Sequence, residues 1–269
     1  MYKLKFGKSI AIAKEDFFDV IARAKAEGLE SVDYDLCGKW NREDPEAENY
    51  RDYKKGLEAV RASGLYFNGV HIPFGRQWDF SELNEETRLG AVKAFGELAA
   101  VIDGYSPKCY IVHGSYEPVA PEERAAKLEA LKKSLREMPE LTKTTIAVEI
   151  LPRTCLLNTS AEAIALVDSM ESEQIKVCVD VNHFLQEKSE DGVLALGDRI
   201  VTTHISDHDY ENERHWIPGE GKIDWVAVID AFRKIGYDGA FNYEVGAAVA
   251  ELRKNFDGLF EKYNSTVAQ

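Results

Sequence analysis

The 269-residue sequence is poor in basic side chains: 33 lysines and arginines stand against 47 aspartates and glutamates, a formal charge of −14 at pH 7. A deficit of this sign weighs against a nucleic-acid duplex or an anionic membrane surface as partner, because both are recognised through basic patches. No run approaches the roughly 20 apolar residues that a membrane-spanning helix needs. The opening MYKLKFGKSIAIAKEDFF lacks the continuous apolar core of a secretory signal. Cysteine is scarce and forms no Cys-x-x-Cys pair. Cys37, Cys109, Cys155 and Cys178 lie far apart, and two of them sit inside apolar runs (KCYIV, KVCVD), as buried free thiols do. The expectation is a cytoplasmic, soluble protein with reduced cysteines. Histidine is also scarce, at six residues. With 45% hydrophobic and 30% charged residues the chain is neither disordered nor fibrous.

What the sequence does have is alternation. Strand-like runs occur at Tyr2–Ile10, Ser31–Leu36, Phe67–Pro73, Cys109–Gly114, Thr144–Leu151, Lys176–Phe184, Val201–Ser206 and Ala240–Val245. Helical periodicity fills the gaps, as in EDFFDVIARAKAEGL, NEETRLGAVKAFGELAAVI and DWVAVIDAFRKIGY. Several helices end in glycine and an apolar residue, at Gly28-Leu29, Gly64-Leu65 and Gly236-Tyr237, which suits a left-handed C-terminal cap. Asp224 and Ser160 fit N-caps. Strands alternating with helices imply right-handed βαβ units and a parallel sheet. Eight such units, the sixth helix near Glu190–Gly197 being short, predict an α/β fold of the (β/α)₈ TIM-barrel type, with an open doubly wound sheet as the alternative. No linker-like segment interrupts 1–269, so one domain is expected.

In a barrel the active site forms at the C-terminal ends of the strands. The strand ends read VHIPFG with His71, IVHGS with His113, AVEILPR with Glu149, CVDVNHF with Asp180 and His183, TTHISDHD with His204 and His208, and NYEVG with Glu244; His215 follows in the seventh loop. All six histidines therefore fall on one predicted face. Taken singly, His71 and His113 fit hydrogen-bonded structural histidines. Glu149, Asp180 and Glu244 are harder to place that way, since each interrupts an apolar run where an unpartnered carboxylate is costly. A divalent cation shared by Glu149, Asp180, His204 and Glu244 would relieve that cost. Three carboxylates and one imidazole suit Mn²⁺, Mg²⁺ or Co²⁺, and Zn²⁺ is also compatible. Four protein ligands leave a position for substrate or water, as in a catalytic site.

The Asp180-x-x-His183 pair, the His204-x-x-Asp207 strand end, the loop Pro218-Gly219-Glu220-Gly221-x-Ile223-Asp224 and the final Glu244 together resemble the xylose-isomerase-like TIM-barrel superfamily over essentially the whole chain. The resemblance to its sugar branch implies a divalent-metal-dependent isomerase or epimerase acting on a sugar or sugar phosphate, by proton transfer next to a carbonyl through a metal-chelated enediolate. It implies Glu149, Asp180, His204 and Glu244 as metal ligands, with Glu149 and Glu244 also the catalytic acid/base pair. His183 matches a substrate-contacting histidine, and Arg214 or His215 occupies the region of a substrate-binding basic residue. His71, His113 and Trp40 complete the expected substrate contacts. A homo-oligomer is compatible with this reading.

The endonuclease-IV-like branch is the rival. It implies a multi-zinc phosphodiesterase, and His71, His113, Glu149, Asp180, His183, His204, Glu213, His215 and Glu244 nearly fill its template, with Glu213 where Asp is expected. The acidic charge and the lack of a basic, aromatic-interleaved DNA-binding loop count against it. A third possibility is a barrel that binds sugar or metal without turnover. Among weaker features, Trp40, Trp78 and Trp216 sit in strand-to-helix loops and serve equally well as a sugar-stacking wall or as loop packing, whereas Trp225 reads as core. Asp33 and Asp35 suit either substrate hydroxyls or a solvated turn. Asp207 suits either orienting His204 or ligating metal.

Overall fold

The computed structural model describes residues 1–11, 16–37 and 48–268, the side chains of 48–52 excepted. In chain order the elements are β1 (Lys5–Ala11), α1 (Phe17–Ala26), β2 (Ser31–Asp35), α2 (Glu48–Ser63), β3 (Tyr66–His71), α3 (Glu85–Ile102), β4 (Cys109–Val112), α4 (Arg124–Glu137), β5 (Thr145–Glu149), α5 (Ser160–Met170), β6 (Ile175–Asp180), α6 (Ser189–Leu196), β7 (Ile200–His204), β8 (Asp207–His208), β9 (Glu213–Trp216), α7 (Trp225–Lys234), β10 (Ala240–Tyr243) and α8 (Val249–Val267).

Parallel pairing runs β10-β1-β2-β3-β4-β5-β6-β7. The ring closes beyond β7: Ile205 N–H donates to the Asn242 carbonyl at 2.8 Å, and Glu244 N–H donates to the Ile205 carbonyl at 3.1 Å. Closure makes this a TIM barrel and removes the doubly wound alternative. β8 and β9 form an antiparallel hairpin in the seventh loop that the sequence periodicity did not foretell.

The strand period of two explains both faces of the barrel wall. In β4–β6 the residues Tyr110, Val112, Ile146, Val148, Val177 and Val179 join the main core against the helices, while Cys109, Ile111, Ala147 and Cys178 cluster separately. The helices close the outer layer with aromatic packing, such as Phe256 against Phe6 at 5.3 Å and Trp225 against Phe241 at 5.9 Å. Gly28, Gly64 and Gly236 take φ of 96°, 68° and 73°, the left-handed caps expected of them. Asp224 caps α7 through Val226 N–H and Ala227 N–H. Ser160 does not cap α5: Thr159 does, accepting from Glu162 N–H, and Ser160 instead donates to Glu187. Among the described residues no helix is long and apolar enough to cross a membrane.

Candidate metal centre at the barrel mouth

Alternation along the strands brings the chemistry to one place. Residues two apart share the inner face, so the strand ends following Ala147, Cys178, Thr202 and Asn242 are Glu149, Asp180, His204 and Glu244. Registry sets Asp180 directly beside His204 on neighbouring strands. As a result Glu149, Asp180, His204 and Glu244 each offer a ligand atom, and all four atoms lie within 4.8 Å of one another. His204 Nδ1 is 2.8 Å from Glu149 Oε1 and 3.5 Å from Glu244 Oε2. Asp180 Oδ1 accepts from Asn182 N–H at 2.8 Å, whereas its buried Oδ2 has no hydrogen-bond partner. That oxygen, 3.3 Å from His183 Nδ1, together with three carboxylates converging on one imidazole, fits a divalent cation with oxygen-rich coordination.

Histidines enclose Glu149. Its Oε2 lies 3.1 Å from His71 Nε2 and 3.1 Å from His113 Nε2. Burial by itself would raise this carboxyl, but His204, His113 and His71 outweigh it and hold Glu149 well below the usual carboxylate range. Glu244 goes the other way: burial, then the charges of Glu149 and Asp180, raise it against the opposing pull of His204 and His71. Burial depresses His71, yet its hydrogen bond to Glu149 and the charge there lift it to about 9. His113 is lowered because burial prevails.

Above these groups opens a cavity of about 460 Å³. From the ends of β2 and β3 and the loops after β2–β4 it is walled by Asp35, Cys37, His71, Phe74, His113, Tyr116 and Glu117, and from the loops after β5 and β6 and from β9 by Arg153, His183, Glu213 and His215. The Phe74 ring stacks on His113 at 4.4 Å and 16°, and Phe74 is 48% exposed. His183 Nδ1 donates to the Ile150 carbonyl at 2.7 Å, and its Nε2 lies 3.3 Å from Glu213 Oε2. The Arg153 guanidinium in turn meets Glu213 at 2.8 Å and Glu117 at 3.1 Å. His183, Glu213 and His215 bring a second set of ligand atoms within 4.8 Å, as do Asp35, Cys37 and His71. Burial, reinforced by Asp35, pushes the Cys37 thiol up, which favours its neutral form.

Of the expected substrate contacts, His71, His113, His183 and His215 line the cavity. Arg214 does not: its guanidinium donates to Asp209 at 2.7 Å and lies over the exposed Trp216 ring at 5.5 Å. Among the described residues Arg153 is the arginine that reaches the cavity, and its place directly after the Glu149 strand (Leu151-Pro152-Arg153) was the available signal. Trp40 lies outside the described residues. Trp78 is buried, as is Trp225, whose indole donates to Asp207 at 2.8 Å. Asp207 neither orients His204 nor joins the ligand cluster; it also accepts from Gly219, Ile223 and His208 backbone N–H groups and so pins the seventh loop. Asp33 is fully buried within β2, out of reach of a substrate, while Asp35 lines the cavity. Phe74, Tyr116, Glu117 and Arg153 are wall residues that sequence reading missed.

A family model described as a xylose isomerase-like TIM barrel matches residues 19–262. A D-psicose 3-epimerase of Enterocloster bolteae is 30% identical over 118 residues, 40% of this chain and 38% of that relative. A D-psicose 3-epimerase of Ruminiclostridium cellulolyticum is 27% identical over 230 residues, 78% of this chain and 76% of that one. Among solved structures, a D-tagatose 3-epimerase-like protein superposes with a TM-score of 0.80 at 19% identity, covering 98% of this chain and 100% of its own.

Proposed function

Because the chain belongs to the xylose isomerase-like TIM-barrel family, we propose that it is a divalent-metal-dependent isomerase or epimerase that moves a proton next to the carbonyl of a small sugar. The observation that carries this reading is the convergence of Glu149, Asp180, His204 and Glu244 within 4.8 Å at the base of the cavity. These four residues would hold Mn²⁺, Mg²⁺ or Co²⁺, and the cation would supply Lewis-acid stabilisation of adjacent carbonyl and hydroxyl oxygens. Glu149 and Glu244 act as the acid/base pair: one takes the proton from the carbon beside the carbonyl and the other returns it, in an order set by the isomer bound. His183, held by Ile150 at Nδ1, faces Glu213 through Nε2, where a substrate oxygen would compete with that carboxylate for the Nε2–H. His71, His113 and His215 contribute further polar contacts, and Phe74 and Tyr116 present rings to the apolar C–H face of the sugar. The D-psicose 3-epimerase relatives support a ketose as substrate, and the charge of −14 supports a small molecule over DNA.

One observation favours a second reading. His183, Glu213 and His215 form a further ligand-like group, as a multi-zinc phosphodiesterase requires. The Arg153 guanidinium, 2.8 Å from Glu213, counts against a cation there.

The test is deuterium wash-in. Incubated in D₂O with a panel of ketoses, the enzyme incorporates deuterium at the carbon next to the carbonyl; EDTA abolishes the exchange and Mn²⁺ restores it. Absence of exchange on every ketose, together with cleavage of abasic DNA and three zinc ions per chain, would overturn this reading in favour of the phosphodiesterase. Sugar binding without exchange points to a catalytically silent barrel.

A further inference from the structure

Below the ligand cluster the barrel holds a second buried carboxylate. Asp33 is fully buried, and each of its oxygens accepts an amide N–H: Oδ1 from Asn68 at 2.6 Å, Oδ2 from Asn242 at 2.8 Å. Asn68 also donates to Thr202 at 2.7 Å and Asn242 to Ser9 at 2.9 Å. Both amides turn their N–H₂ groups toward Asp33 and leave their own buried Oδ1 atoms without a partner. In that orientation both Asp33 oxygens act as acceptors.

The local backbone makes room for this arrangement. Val32 pairs with Phe67 and Asp33 with Gly69, so Asn68 is the extra residue of a β-bulge, which turns its side chain inward. A Cβ on Gly69 would come within 3.1 Å of Asp33 Oδ1, and one on Gly7 within 2.9 Å of Asn242 Oδ1. Glycine at both positions lets the carboxylate and its amides close up.

Asp33 faces His204. Its Oδ2 lies 3.6 Å from His204 Nε2, an ion-pair contact, and that fully buried nitrogen has no hydrogen-bond partner. The Cys178 thiol also neighbours His204, but a neutral thiol is a weak acceptor. The opposite ring nitrogen, Nδ1, points to Glu149 and Glu244. A histidine that ligates through one nitrogen must carry its proton on the other, and an acceptor for that proton fixes both tautomer and ring orientation.

We infer that Asp33 is a positioning residue of the metal centre, accepting the Nε2–H of His204 and so presenting Nδ1, unprotonated, to the cation. The inference rests on the metal-dependent reading above and assigns a role to the barrel floor that no ligand motif reveals. Removing such a partner typically weakens metal binding by about 10- to 100-fold.

The test measures Mn²⁺ binding to the full chain by calorimetry. Asp33→Asn, which keeps the side-chain shape, weakens binding by about 10- to 100-fold, while Cys178→Ala leaves it unchanged. Melting of the metal-free proteins separates this from a packing defect, since a purely structural role would lower the melting temperature and leave Mn²⁺ affinity at the native value. Undiminished Mn²⁺ binding by Asp33→Asn overturns the inference while the metal reading stands; absence of Mn²⁺ binding by the native protein overturns both. Should the variant not fold, ¹⁵N-histidine NMR of the native, Mg²⁺-loaded protein decides: a proton on His204 Nε2 supports the inference and a proton on Nδ1 sinks it.

Discussion

The mouth and the floor of the barrel both bury carboxylates, but they neutralise them in opposite ways. On the floor, Asp33 receives an amide N–H on each oxygen from side chains that never change charge. At the mouth, Glu149, Asp180 and Glu244 face histidines and one another, and one Asp180 oxygen has no hydrogen-bond partner. A buried polar group that is fully satisfied contributes to a unique structure; one left short stores the demand for a ligand. Asp33 on the floor is therefore satisfied by the protein alone, whereas the mouth keeps a carboxylate acceptor open, the place a cation would take on the proposed reading. Changes at the mouth are expected to separate activity from stability, and changes on the floor to couple them.

Glu244→Gln gives the widest separation. Turnover, read as deuterium wash-in, falls on the order of 10³-fold, in keeping with loss of a general acid or base. The metal-free protein, however, melts at or above the native temperature, because burial and the charges of Glu149 and Asp180 already disfavour the ionised Glu244. Glu149→Gln should lose turnover similarly but also stability, since His71, His113 and His204 lose their anionic partner. Equal destabilisation by both variants would contradict the contrast drawn between the two carboxylates.

Cation binding comes next in size. Mn²⁺ at 100 times its dissociation constant is expected to stabilise the native chain by about 2.7 kcal/mol, through preferential binding to the folded state. Asp180→Asn should remove most of that increment while leaving the metal-free protein folded; a variant that keeps the full Mn²⁺-induced rise in melting temperature would take Asp180 out of the ligand set. On the floor, Asn68→Ala strips one N–H from Asp33 and is expected to cost about 1–3 kcal/mol in urea unfolding under EDTA, the penalty for an unsatisfied buried acceptor. A neutral result there would mean that water or Asn242 replaces the lost donor.

The sequence made the mouth legible and the walls obscure for one physical reason. Glu149 and Asp180 each end a strand of period two and Glu244 directly follows one, so a charge after TIAV, KVCV or AFNY stands out against its neighbours and its facing follows from the alternation. Phe74, Tyr116 and Arg153 lie on loops, where no period tells which way a side chain points. Arg153 and Arg214 show the consequence. Arg153 sits at a left-handed φ of 54° and reaches the cavity, while Arg214 is captured by Asp209 and Trp216 outside it. Asp33 was visible as a charge near the end of the second strand but not as a buried one, because the bulge at Asn68 that supplies its donor leaves no trace in composition. The two-residue β8 is likewise too short to show any alternation.

The smallest effect expected at the mouth is a matter of pH. The hydrogen bond from His183, opposed by burial and aided by Arg153, lowers Glu213 to about 2. A carboxyl depressed in the folded state contributes stability above its unfolded value, and that contribution is lost as pH falls through the folded one. For Glu213 the window runs from the ordinary 4.5 down to about 2. With its side chain 27% exposed, solvent screening reduces the contribution to about 1 kcal/mol. Glu213→Gln should accordingly be about that much less stable than the native chain at pH 6, with the gap narrowing as pH falls below 4.5, where Glu213 of the unfolded chain takes up a proton, and closing toward about 2, where the folded one does. Urea unfolding at stepped pH measures this directly. A gap independent of pH would mean that Glu213 holds His183 and Arg153 by shape rather than by charge, which would make this wall of the mouth more like the floor.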